Sequence, residues 1–89
     1  MKIKNGFILR NVSDAFVVVA VGEATKDFNG MITLNETGAF LWKALTDGCA
    51  DKNELVGKLL GEYDVPRTLA EKDVDAFVAK LSEAGLLED

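Results

Sequence analysis

The chain has 89 residues, 48% of them hydrophobic, and a formal net charge of −5. This length allows one hydrophobic core, so we expect a single domain spanning residues 1–89. One cysteine and no histidine exclude an internal disulfide and a zinc site with the usual ligands. The acidic balance disfavours a protein that binds by neutralising phosphates, so we expect no nucleic acid partner.

The chain lacks the patterns of export and membrane insertion. No apolar run of signal-peptide length occurs near the N-terminus, and the longest apolar run, residues 15–21, is too short to span a membrane. We therefore predict a soluble protein without a membrane partner. The single cysteine is compatible with a reducing compartment, and the expected location is cytoplasmic.

Three β-strand patterns occupy the first part of the chain. Residues 7–12 and 15–21 are rich in β-forming side chains, and the turn-forming pair Ser13-Asp14 between them predicts a hairpin. The second run is apolar on both faces, which is typical of a central strand. Residues 30–34 predict a third, short strand at the sheet edge, beside the second.

Two helix patterns follow these strands. Asn35 is expected to cap a first helix over residues 36–46, and Gly48 is expected to end it. Asp51 begins a second pattern, in which the apolar residues recur on one helical face. Residues 64–66 (DVP) break this second helix.

A third helix pattern follows the break at residues 64–66, and Gly85 is expected to end it. Thr68 and Glu71 have the spacing of a capping box, which predicts that the Thr68 side chain caps this helix. Together the patterns predict an α+β fold, with a three-stranded antiparallel sheet followed by three helices in a winged-helix-like arrangement.

The groups that usually perform catalysis are missing from the sequence. Histidine, the common general base near neutral pH, is absent. Cys49 lies beside Asp47 and Asp51, whose charges raise the pKa of a thiol and weaken it as a nucleophile. The glycines have no phosphate-loop or dinucleotide-binding spacing. We therefore predict a non-enzymatic protein without catalytic residues, metal or cofactor.

The third predicted strand, residues 30–34, contains neither charge nor proline, the features that usually protect a sheet edge. Such an edge is available for pairing with an extended peptide. Ile32 and Leu34 alternate toward one face, which we expect to be core. Met31 and Thr33 then lie on the other face.

One margin of the third helix mixes apolar and charged side chains. It contains Leu69, Asp73, Ala76 and Lys80, and it borders a buried stripe whose centre includes Phe77. This mixture suits the wall of a binding groove, and it equally suits an ordinary helix margin beside solvent.

Two blocks of the sequence resemble the signature of the PqqD-like family. They are residues 27–42 (DFNGMITLNETGAFLW) and residues 73–81 (DVDAFVAKL), followed by residues 85–87 (GLL). The family is named for the biosynthesis of coenzyme pyrroloquinoline quinone (PQQ). Its members are also recognition elements for ribosomally synthesised and post-translationally modified peptides (RiPPs).

The resemblance implies a peptide chaperone rather than an enzyme. Members of the PqqD-like family capture the leader of a precursor peptide as an added strand on the third strand, in a groove walled by the third helix. They deliver it to a modifying enzyme, usually a radical enzyme that uses S-adenosylmethionine and iron–sulfur clusters. The expected peptide-binding residues are Asn29, Gly30, Met31, Ile32, Thr33, Leu34, Leu69, Asp73, Ala76, Phe77 and Lys80.

Two alternatives remain open from the sequence. A winged-helix DNA-binding regulator is the first, although residues 67–84 carry four acidic and three basic side chains, a poor balance for a groove-reading helix. The second is a homodimer formed through the same sheet edge.

Overall fold

The structure, a computed structural model, describes residues 1–26, 30–49 and 51–88. Its strands are β1 (Lys2–Ile3), β2 (Phe7–Val12), β3 (Ala15–Ala20), β4 (Met31–Leu34) and β5 (Leu87–Glu88). Its α-helices are α1 (Glu36–Thr46), α2 (Lys52–Glu62) and α3 (Arg67–Glu83). A short 3-10 helix, Gly22–Lys26, follows β3.

The main sheet is antiparallel, with the strand order β2-β3-β4. Val12 pairs with Ala15 across the two-residue turn, and Phe16 pairs with Leu34. The hairpin, the central position of β3 and the edge position of β4 are therefore confirmed. Val18, in the middle of β3, is fully buried, as expected for a central strand.

One hydrophobic core joins the sheet to all three helices. The sheet contributes Val18, Ile32 and Leu34 to it. The largest helix side chains in this core are Leu41, Trp42, Leu45, Leu55, Leu59, Phe77 and Leu81. The α+β class, with a three-stranded antiparallel sheet followed by three helices, is confirmed, whereas the winged-helix likeness stays a prediction. In the part of the chain that the structure describes, no helix is long and apolar enough to cross a membrane.

Two helices begin with the side-chain caps that the sequence predicts. The Asn35 side chain accepts a hydrogen bond from the amide of Gly38 at 2.7 Å. Asp51 accepts one from the amide of Glu54 at 3.0 Å. Each cap satisfies an amide of the first helical turn that has no partner within the helix.

The capping box predicted at the start of α3 is wrong. The N-cap residue is Pro66, and the cap has no side-chain hydrogen bond. The Pro66 carbonyl instead accepts hydrogen bonds from amides of the first turn. Because Pro66 directs the chain into the helix at Arg67, Thr68 already lies within the first turn. Glu71 lies 3.7 Å from the Arg67 guanidinium.

The two ends of the described chain meet in a second, two-stranded sheet that the sequence patterns do not predict. β1 and β5 pair in antiparallel fashion, and the Lys2 ammonium lies 3.3 Å from the Glu88 carboxylate. The Met1 ammonium donates to the Cys49 carbonyl at 2.8 Å. Strands of two residues are too short to show a hydrophobic period, so tertiary contacts alone define them.

Ser13 in the β2–β3 turn has a φ of 55°, a left-handed conformation that costs an L-residue about 1 kcal/mol. Glycine adopts it freely but loses more backbone entropy on folding. We therefore expect Ser13→Gly to raise the free energy of unfolding by about 0.5 kcal/mol. Urea denaturation measures this gain. Ser13→Val is the opposite control, and a Ser13→Gly protein less stable than wild type would contradict the strain.

Candidate functional site

The direction of the backbone groups in β4 follows from the hairpin register. In the β2–β3 turn, Val12 is the first residue and Ala15 is the fourth. A tight turn joins the carbonyl of its first residue to the amide of its fourth by a hydrogen bond, so the backbone groups of Ala15 face β2. Because directions alternate along an antiparallel strand, the groups of Phe16 and Val18 face β4. Their partners Leu34 and Ile32 therefore use their own backbone groups inside the sheet.

Met31 and Thr33 consequently direct their amides and carbonyls away from the sheet. A side-chain contact supports this assignment, because the Lys80 ammonium donates to the Thr33 carbonyl at 3.2 Å. Both side chains are exposed, with Met31 at 66%. The edge of β4 thus offers main-chain donors and acceptors at two residues whose side chains lie outside the core.

A cleft of about 400 Å³ lies beside this edge, between the end of β4, the start of α1 and one side of α3. The buried side chains of Leu34, Leu41 and Phe77 make its lining partly apolar. Asp73 and Lys80 add one charge of each sign from exposed positions on α3. The other lining residues are Thr33, Asn35, Thr37, Gly38 and Ala76.

The cleft brings together only some of the residues predicted from the sequence. They are Thr33, Leu34, Asp73, Ala76, Phe77 and Lys80. Met31 and Ile32 lie at the start of β4 and do not line the cleft, and Gly30 precedes that strand. Leu69 is 45% exposed on α3 but is not among the cleft-lining residues. Asn29 lies outside the described residues.

Sequence reasoning missed the contribution of α1 to this cleft, which comes from Asn35, Thr37, Gly38 and Leu41. The feature of the sequence that could have indicated it is Gly38, a glycine in the first turn of the predicted helix. A Cβ on Gly38 would lie 3.2 Å from the Leu34 Cβ and 3.2 Å from the Asn35 Oδ1. Glycine therefore allows α1 to begin directly against the end of β4.

Cys49 lies apart from the cleft-lining residues. Its side chain is buried, and its Sγ lies 3.6 Å from the Ala44 carbonyl oxygen. Burial is the main cause that raises the pKa of this thiol, with a smaller opposing effect from Lys58. Such a thiol is a weak nucleophile.

Within residues 1–26, 30–49 and 51–88, no group of three or more acidic or cysteine side chains could hold a metal ion.

Comparison with known proteins identifies the family. The family model of coenzyme PQQ synthesis protein D (PqqD) matches residues 15–87. This chain belongs to the PqqD family. The matched segment includes β4, α1 and α3, which form the cleft. No curated protein matches the chain.

Two solved structures similar to this PqqD-family chain contain a leader peptide. TbiB1 in complex with the TbiA(beta) leader peptide is 26% identical with a TM-score of 0.75, over 99% of this chain and 95% of that one. Lasso peptide synthetase B1 complexed with the leader peptide is 26% identical with a TM-score of 0.73, over 99% and 96%.

The start of α1 provides a test of how the cleft is built. Asn35→Ala removes the acceptor of the Gly38 amide, and we expect it to lower the free energy of unfolding by about 1 kcal/mol. Asn35→Asp is the matched control, because it keeps the acceptor and places a negative charge at the helix N-terminus. Thermal and urea unfolding measure both variants. Equal losses in the two would show that this hydrogen bond is not what stabilises the junction.

Proposed function

We propose that this chain binds the leader segment of a precursor peptide and presents it to a modifying enzyme. The observation that carries the proposal is the pair of outward-facing backbone positions, Met31 and Thr33, beside a partly apolar cleft. Two similar structures that contain leader peptides support the same function.

The proposed binding mode is the addition of an extended leader strand to the edge of β4. Its backbone would pair with Met31 and Thr33, and alternate side chains would point to opposite faces of the sheet. The side chains on the helix side would enter the cleft near Leu34, Ala76 and Phe77. Backbone pairing contributes affinity with little sequence demand, whereas the cleft selects the side chains.

In this proposal the chain acts by binding and performs no reaction itself. Cys49 is a buried thiol with a raised pKa, and it lies outside the cleft lining. The recipient of the leader would be a radical enzyme that uses S-adenosylmethionine and iron–sulfur clusters, as the family resemblance implies. We place this activity in the cytoplasm, where a free thiol stays reduced.

The direct experiment is a titration with candidate leader peptides. Short reading frames beside the gene supply the candidates, and fluorescence anisotropy of labelled peptides measures their binding. We expect saturable binding of one leader and none of its scrambled version. A duplex DNA titration at low salt tests the regulator alternative. Strong retention of DNA, with no leader bound, would contradict the peptide-binding proposal.

Thr33→Pro tests strand addition. Proline removes the outward amide of Thr33 without removing a hydrogen bond of the sheet. An unpaired acceptor on the leader costs about 1–3 kcal/mol, so we expect affinity to fall by about tenfold or more. The matched control is Asn11→Pro, because Asn11 faces outward on the opposite edge, in β2. Both proteins should remain folded by circular dichroism. Equal affinities in the two variants would contradict pairing at β4.

Ala76→Glu tests the cleft. Ala76 is exposed on α3 and lines the cleft, so a glutamate there adds bulk and charge without disturbing the core. We expect leader affinity to fall by about tenfold, which corresponds to about 1.4 kcal/mol. Ala79→Glu is the matched control, since Ala79 is also exposed on α3 but does not line the cleft. A folded Ala76→Glu protein that binds leader like wild type would exclude this placement.

A homodimer is a second proposed use of the same edge. Two copies paired through β4 would leave no outward backbone groups for a leader, so dimerisation and leader binding would compete. Sedimentation velocity with and without leader distinguishes the arrangements. Dissociation of a dimer on leader addition supports a shared edge, and a dimer that persists with leader bound places its contact elsewhere.

A further inference from the structure

Lys80 contacts the edge of β4, although it lies far from that strand in the sequence. The strand itself contains no charged residue, but Lys80, 47 positions later on α3, donates its ammonium to the Thr33 carbonyl at 3.2 Å. Lysine is one of the residues with which proteins protect an exposed strand edge. Here the protecting lysine comes from the opposite wall of the cleft, and not from the strand.

The protected atom is one that an added strand needs. Thr33 is one of the two outward-facing residues of β4, so its carbonyl is the acceptor for an incoming backbone amide. When a peptide amide takes this position, the Lys80 ammonium loses or shares its acceptor at the rim of the cleft. Asp73, also at the cleft, lies two helical turns earlier, about 10 Å along the axis, and it forms no ion pair with Lys80 in the part of the chain that the structure describes.

We infer that Lys80 is a specificity-determining residue that exchanges the Thr33 carbonyl for a carboxylate of the bound peptide. The favoured leaders carry Asp or Glu on a cleft-facing residue next to the one that pairs with Thr33. This inference rests on the proposed strand addition. A carboxylate accepts a stronger hydrogen bond from an ammonium than a neutral carbonyl does, so it compensates for the contact that binding disrupts.

The side chain at this leader position determines the size of the effect. Lys80 is exposed, and exposed ion pairs change an equilibrium by about two- to fivefold. We therefore expect Glu to be preferred over Gln by that factor. A leader with Lys at this position should bind more weakly than one with Gln, because the lysine charge would repel the Lys80 ammonium. Salt near 0.5 M should reduce the preference, since it screens exposed charges.

A surface-displayed library of random twelve-residue peptides tests the inference even while the natural leader is unidentified. It is selected on wild type and on three variants, Lys80→Gln, Lys80→Glu and Lys72→Glu. Lys80→Gln keeps a hydrogen-bond donor on the side chain and removes the charge. Lys72→Glu is the matched control, because Lys72 is exposed on the same helix but does not line the cleft. Synthetic Glu, Gln and Lys versions of the best peptide are then titrated.

Wild type and Lys72→Glu should enrich an acidic residue at one fixed offset from the apolar positions. Lys80→Gln should lose that preference, and Lys80→Glu should replace it with Lys or Arg. The same apolar pattern and acidic preference in all four proteins would overturn the role of Lys80 and leave peptide binding intact. A wild-type selection that enriches no extended pattern would overturn peptide binding itself, and this inference with it.

Discussion

The alternation of side-chain and backbone directions along β4 is the constraint on which the rest of the structure depends. Ile32 and Leu34 place their side chains in the core and pair their backbone groups with β3. The same geometry turns the backbone groups of Met31 and Thr33 outward. Core packing and an available edge are therefore two consequences of one register. A shift of one residue would move Ile32 and Leu34 to solvent, so burial in the core also holds this outward-facing edge in place.

The cleft depends on the short connection from β4 to α1. Asn35 caps the helix, and Gly38 allows its first turn to approach Leu34 closely. On the opposite side, α3 is anchored by Val74 and Leu81, which are fully buried. This anchoring directs the neighbouring margin of α3, with its charged and small side chains, toward the open edge of β4. The wall and the edge are thus positioned by packing rather than by flexible loops.

The contact between Lys80 and Thr33 changes how the edge of β4 is understood. By composition, the strand is unprotected, because it contains neither charge nor proline. In the folded chain one of its outward carbonyls already has a cationic partner from α3. Under the proposed function, this edge is shielded in the free protein and still accepts a strand, because a side chain of another element can move away. Strand composition alone therefore underestimates the protection of an edge.

Local sequence patterns determined the main elements of this protein: the hairpin, the three helices and the caps at Asn35 and Asp51. Periodicity and capping act over a few residues, so they can be recognised without the fold. Only the tertiary structure decided the pairing of β1 with β5, the place of α1 in the cleft and the contact of Lys80 with Thr33. These features join residues that are distant in sequence, and their geometry exists only after the core has packed.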